Sequence, residues 1–169
     1  MGIFKIDVED FKWIDGTLDD VDDLCLHGHV TVQIGDTVIE DHGTVSATGL
    51  YLLKTLTEDK IMSYNSIQMI PCCGHFMVAN SDVNEVWISG CDKGSDWSVI
   101  HDGESVKLIL SNGHEEIVSL EEYREEVYRF ADKVEAFYDS CTPKILPNDE
   151  FSRNGYIAFW RDWLRRRGR

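Results

Sequence analysis

The sequence predicts a single α+β domain: antiparallel hairpins and a β-meander packed against two or three helices. Three observations carry this. Residues 70–119 hold short runs rich in β-branched and aromatic residues, bounded by Gly, Asn and Asp, which is how strands are punctuated. Leu120, Tyr123, Val127, Phe130, Val134, Phe137 and Cys141 recur at spacings of three and four, the stripe of a long helix in the C-terminal third. A terminal segment rich in aromatics and arginine repeats that period. The chain divides into an N-terminal hairpin region (1–43), a helix (44–57), the meander (70–119) and a helical C-terminal region (120–169). Its length suits one domain with a core that needs no disulfide or metal to hold it.

In chain order, Phe4-Lys5-Ile6-Asp7-Val8 alternates as a strand, and Phe11, Trp13 and Ile14 extend the pattern to a turn at Asp15-Gly16. Asp19, Asp20, Asp22 and Asp23 form an acidic loop. A calcium-binding EF-hand counted from Asp19 would need Gly at position 24 and Glu at position 30, where Leu24 and Val30 stand. The loop therefore reads as solvated acid, or as an electronegative contact surface for a partner. Val30–Ile34 and Thr37–Glu40 make a hairpin, with Gly35-Asp36 suited to a two-residue type II′ turn. His27 and His29 share a strand face, with no third ligand in view.

Val45, Leu52, Leu53 and Leu56 fit a helical stripe with Thr44 as N-cap. Gly49 weakens that helix by about 1 kcal/mol relative to Ala, which points to close packing against the sheet. Residues 58–68 read as a polar connection anchored by Ile61, Met62 and Ile67. Strands follow at 76–78, 86–88, 97–101, 105–110 and 115–118. Asp102-Gly103 and Asn112-Gly113 favour type I′ turns between the last three. Ser119 and Glu122 form a capping box for the helix over 120–140. Two Pro-containing turns at 142–148 precede a last helix over 155–166, capped by Ser152 or Asn154. Its Tyr156, Phe159, Trp160, Trp163 and Leu164 dock on the core, and Arg165, Arg166 and Arg167 complement the helix dipole.

Cys72, Cys73, His75 and Cys91 are the densest set of metal-capable residues, and zinc is the ion they would hold. The spacing argues against it. Adjacent side chains on an extended chain point to opposite faces, so Cys73 and His75 can share an ion while Cys72 cannot readily join. The plainer reading makes these cysteines small buried hydrophobes at a strand start. A thiol nucleophile at Cys72 or Cys73, served by His75, His101 or His114 and by Asp96, needs a charge or helix terminus to lower its pKa, and no such feature is near in sequence. The loop 90–97 lacks the glycine-and-lysine spacing of a phosphate loop. No catalytic set is evident.

The net charge is −15, unevenly spread. Residues 1–150 carry 30 acidic against 10 basic side chains, and residues 151–169 carry one against six. Such a body repels nucleic acid and anionic membranes and attracts a basic protein partner. Five cysteines without a secretory leader, and no run of about 20 apolar residues, predict a cytoplasmic protein with reduced thiols. In size, acidity and α+β character the chain is similar to bacterial immunity proteins, which neutralise a toxin by masking it. That resemblance implies a binding protein with no cofactor; the alternative is a small metalloprotein or thiol enzyme centred on Cys72, Cys73, His75 and Cys91.

Overall fold

The computed structural model describes residues 2–63, 66–73 and 76–169. In chain order the elements are β1 (Phe4–Lys12), β2 (His27–Ile34), β3 (Thr37–Thr44), α1 (Val45–Lys54), β4 (Ile70–Pro71), β5 (Phe76–Ala79), β6 (Val86–Ser89), β7 (Gly94–Ser95), β8 (Ser98–Asp102), β9 (Ser105–Ile109), β10 (Glu115–Ser119), α2 (Leu120–Ser140) and α3 (Glu150–Arg166). The fold is mixed α+β, with every strand pairing antiparallel. The expected run of strands over 76–118 divides in two. β8, β9 and β10 form a three-stranded meander, whereas β5 and β6 form their own hairpin and β4 pairs with β7.

The turns follow glycine more closely than the dipeptides suggest. At β2–β3, Ile34 faces Thr37 and Gly35 has φ +58°, as a II′ turn requires. At β8–β9 the pair is Asp102 with Ser105, so the loop is Gly103-Glu104, and only Gly103 has positive φ (+60°). That is a II′ pattern with Asp102 left in the strand, not the expected I′. At β9–β10 the Gly113 amide donates to Leu110 O (2.9 Å) and Gly113 has φ +81°. This is a three-residue loop closed by a left-handed glycine, again not I′.

α1 departs furthest from its expected stripe. Every residue from Val45 to Leu53 is buried, polar ones included. A helix enclosed on all sides must satisfy its hydroxyls internally. Ser46 Oγ accepts from the Leu26 amide (3.2 Å), and Tyr51 Oη donates to Ile88 O (2.9 Å). At the C-cap, Thr55 Oγ1 and Tyr123 Oη share a hydrogen bond of 2.7 Å. Thr44 makes no side-chain cap. Gly49 does mark a close approach, but to Trp163 of α3 and not to the sheet. Ile61, expected as an anchor, is 68% exposed.

α2 lies along β1 through Tyr123 on Phe4 (rings 4.8 Å apart) and Phe137 on Phe11 (4.8 Å). Ser119 Oγ caps it by accepting from the Glu122 amide (3.1 Å). The Glu122 carboxylate then accepts from the Ile3 amide (3.1 Å), so half of the capping box is diverted to tie down the N-terminal strand. The cap of α3 is Asp149, whose carboxylate accepts from the Ser152 amide (2.8 Å). The helix therefore starts five residues earlier than its aromatic stripe implies. One core runs from Phe4 to Trp163 through all three helices.

Asp7 fastens β1 to α2 and carries a pH signature. Burial opposes its charge, but the Lys133 ammonium, the Val8 amide (2.8 Å) and Arg129 outweigh that and hold the carboxyl below its usual range. A folded-state pKa below the unfolded one stabilises above the unfolded value, about 3.9, and the benefit is lost as pH falls through the folded value. Asp7→Asn is therefore expected to be less stable than wild type at neutral pH. Urea midpoints should show that gap closing below about pH 4.

Candidate functional site

Two places in the structure assemble chemistry. The first is the acidic loop. Asp23 accepts from the Ile14 amide (2.7 Å) and the Cys25 amide (2.9 Å), and Asp20 accepts from the Asp22 amide (2.8 Å). Such side-chain-to-backbone bonds fix a loop in the way Asx turns do. Asp19 reaches across to the segment after α2, accepting from Thr142 N (3.1 Å) and Thr142 Oγ1 (2.7 Å). The Ile145 amide donates to Val21 O (2.9 Å), and Lys144 Nζ sits 3.0 Å from the centre of the Trp13 ring. Loop 13–23 and linker 141–146 are thus one surface unit.

That unit exposes large apolar side chains. Ile14, Leu18, Ile145 and Leu146 are between 46% and 80% exposed. Beside it, the linker and the facing sides of α2 and α3 enclose a cleft of about 400 Å³, lined by Tyr138, Pro143, Tyr156, Trp160 and Leu164, with Asp139 exposed at its edge. Apolar and aromatic surface rimmed by charge is how protein interfaces are commonly built. Of the four aspartates expected to meet a partner, Asp19, Asp20 and Asp23 shape the loop, while Asp22 is exposed and offers its carboxylate outward. In the sequence Ile14 reads as the end of the first strand's apolar pattern, and Leu18, Ile145 and Leu146 lie in turn-rich stretches too short to show a period.

The second place is a thiol centre. β4 and β7 pair Ile70 with Ser95 and Pro71 with Gly94, and the Cys72 amide then donates to Lys93 O (3.1 Å). This sets residues 72–73 beside residue 91. The Sγ atoms of Cys72 and Cys91 lie 2.6 Å apart, and those of Cys72, Cys73 and Cys91 all lie within 4.8 Å of one another. Among the described residues this is the one group of three potential ligands that comes together, and it could hold a metal. Cys72 and Cys73 do not point to opposite faces as on an extended strand, because the chain bends there. Nor are these buried hydrophobes: Cys73 is exposed and the other two are half-buried. His75 lies outside the described residues.

The thiols are electrostatically unlike. The Cys91 thiol is held below its usual pKa chiefly by a hydrogen bond from the Cys72 thiol, and Cys72, sharing that bond, is pushed up to about 12. Cys25 stands apart, driven up to about 12 by burial. The remaining parts of a nucleophilic set are engaged elsewhere. His101 Nδ1 pairs with Asp59 (2.8 Å) and His114 Nε2 with Glu116 (2.8 Å). Asp96 binds Lys60 and accepts from the Met69 amide (3.0 Å). His27 and His29 share a strand face, and His29 stacks on His42 across the β2–β3 pair (rings 4.7 Å apart).

Two arginines at the C-terminal end of α3 are also engaged within the molecule. Arg166 and Arg167 are 6% exposed and pair with Asp162 and Glu58, and with Asp132 and Glu135. No helix in the described chain is long and apolar enough to cross a membrane. Compared with family models, curated proteins and solved structures, the chain matches none, so the chemistry of these two places is what bears on its function.

Proposed function

We propose that the protein is a small acidic binding protein that grips a basic protein partner, as immunity proteins mask a toxin. The observation that carries this reading is the unit formed by loop 13–23 and linker 141–146. It sets Ile14, Leu18, Ile145 and Leu146 at the surface among Asp19, Asp20, Asp22 and Asp23, next to the aromatic cleft of Tyr138 and Trp160. Acidic charge steers a cationic surface inward and raises the on-rate, and desolvated apolar contact then holds it. The same net charge of −15 works against nucleic acid as the partner. Free cysteines fit a reducing, cytoplasmic setting.

The test is affinity capture from the native host followed by titration against the purified partner. The partner is expected to be basic, and its affinity to fall by at least about tenfold as added salt shortens the Debye length from roughly 10 Å to 3 Å. Asp22→Lys should slow association by about tenfold, and Leu18→Glu should speed dissociation. Salt-independent binding, or full affinity in both variants, would exclude this surface.

A further inference from the structure

We propose that Cys72, Cys73 and Cys91 form a thiolate site for a borderline-soft divalent cation, Zn²⁺. This does not depend on the binding role. Two segments separated by 19 residues in sequence meet because β4 and β7 pair and because glycines permit the approach. A Cβ at Gly94 would overlap the Ile70 carbonyl, and one at Gly43 would stand 2.5 Å from the Pro71 oxygen. Gly94 also has φ +131°, which side chains rarely adopt. The backbone that delivers the sulfurs is therefore held on both sides by positions where any larger residue would push it away.

The donor set then selects the ion. Three thiols suit Zn²⁺ and other thiophilic ions, and are poor ligands for Mg²⁺ or Ca²⁺, which take oxygen. Zinc–sulfur bonds of about 2.3 Å place the sulfurs of a tetrahedral site about 3.8 Å apart. A group confined within 4.8 Å fits that shell once Cys72 and Cys91 part by about 1 Å. In the free protein, three thiolates this close would repel, so protons must be retained. Binding exchanges those protons for the cation: each thiol that ligates gives up its proton to solvent, and no electron changes hands. Three protein ligands with water in the fourth position is the pattern of an open zinc site.

Occupancy would stitch the loop after β6 to the segment after β4. The same loop carries Asp92, which with Cys91 and Trp87 lines a cleft of about 230 Å³, so the ion would fix one wall of that cleft.

The full-length protein, reduced and stripped of metal, should be titrated with Zn²⁺ against a chromophoric chelator, and with Co²⁺ in the absorption spectrometer. One equivalent of zinc is expected, with proton release. Cobalt should show sulfur-to-metal charge transfer and the intense visible bands of a tetrahedral centre. Cys73→Ser alters an exposed side chain, so it should leave the fold intact while weakening zinc by roughly 100-fold or more. Cys91→Ser should do the same, and Cys141→Ser, remote from these three sulfurs, should leave zinc affinity unchanged. Failure of the reduced protein to take up zinc would overturn the site, as would unaltered affinity in Cys73→Ser. So would a Cys72–Cys91 disulfide that reforms in air with equimolar zinc present, which would make the pair redox-active and not a metal centre.

Discussion

Asp162→Ala is expected to cost about 3–5 kcal/mol of folding stability, a large share of the total for a domain of this size. The Asp162 side chain is fully buried. Its carboxylate lies 3.3 Å from Lys54 Nζ, 2.7 Å from Arg165 Nη2 and 2.8 Å from Arg166 Nε. Lys54 belongs to α1 and also donates to Val86 O (2.9 Å) at the start of β6. One carboxylate thus joins α1, α3 and the β5–β6 hairpin. Removing it takes from Lys54, 19% exposed, its closest counter-charge, and leaves Arg166, 6% exposed, with only Glu58 (2.6 Å) and Glu85 (3.5 Å) at the protein's rim. A stranded buried charge costs more than the intact pair contributes. The two arginines should behave differently although their bonds are of like length. Arg165 is 55% exposed, so Arg165→Ala should lose no more than about 1 kcal/mol, and Arg166→Ala should lose more. Urea unfolding with unchanged m values would measure all three. A loss under about 1 kcal/mol in Asp162→Ala would show that the carboxylate anchors nothing.

Parts of this fold stand plainly in the sequence, and the parts that do not share a physical cause. α2 was legible because an amphipathic helix with one buried face writes its period into the chain, and Ser119 marks its start. The hairpins around Gly35 and Gly103 were legible because only glycine takes those φ angles cheaply. α1 was placed, but its stripe of Val45, Leu52, Leu53 and Leu56 understated its burial, because a helix enclosed on every side carries no polar face to mark the other half. β5 pairs only with β6 and lies against α3, whose Gly155 comes close to the Met77 backbone, and nothing near residue 77 announces that contact. The thiol centre was half legible. Composition found the residues, but the argument that separated Cys72 from Cys73 assumed an extended chain, and the β4–β7 pairing that bends it spans two residues a side, too few to show a period. Asp162 did carry a signal: it is the one acid among six arginines after residue 150, three and four residues before Arg165 and Arg166.

Gly49→Ala should destabilise the protein by about 1–3 kcal/mol even though alanine is worth about 1 kcal/mol more than glycine inside a helix. A Cβ at Gly49 would stand 2.5 Å from Cη2 of Trp163 and 3.7 Å from Phe130. Trp163 cannot easily yield. It is fully buried, and its Nε1 donates to Glu135 (2.7 Å), which fixes the ring between α1 and α2. Trp163→Ala alone should cost about 3–5 kcal/mol through the cavity it leaves. With the indole gone, the steric objection to a methyl group at position 49 disappears and the helix propensity of alanine remains. Gly49→Ala should therefore stabilise the Trp163→Ala protein, by up to about 1 kcal/mol. The substitution changes sign with its neighbour, and a double-mutant cycle should return a coupling of about 2 kcal/mol or more. A Gly49→Ala protein as stable as wild type would mean that α1 and α3 stand farther apart than this packing requires.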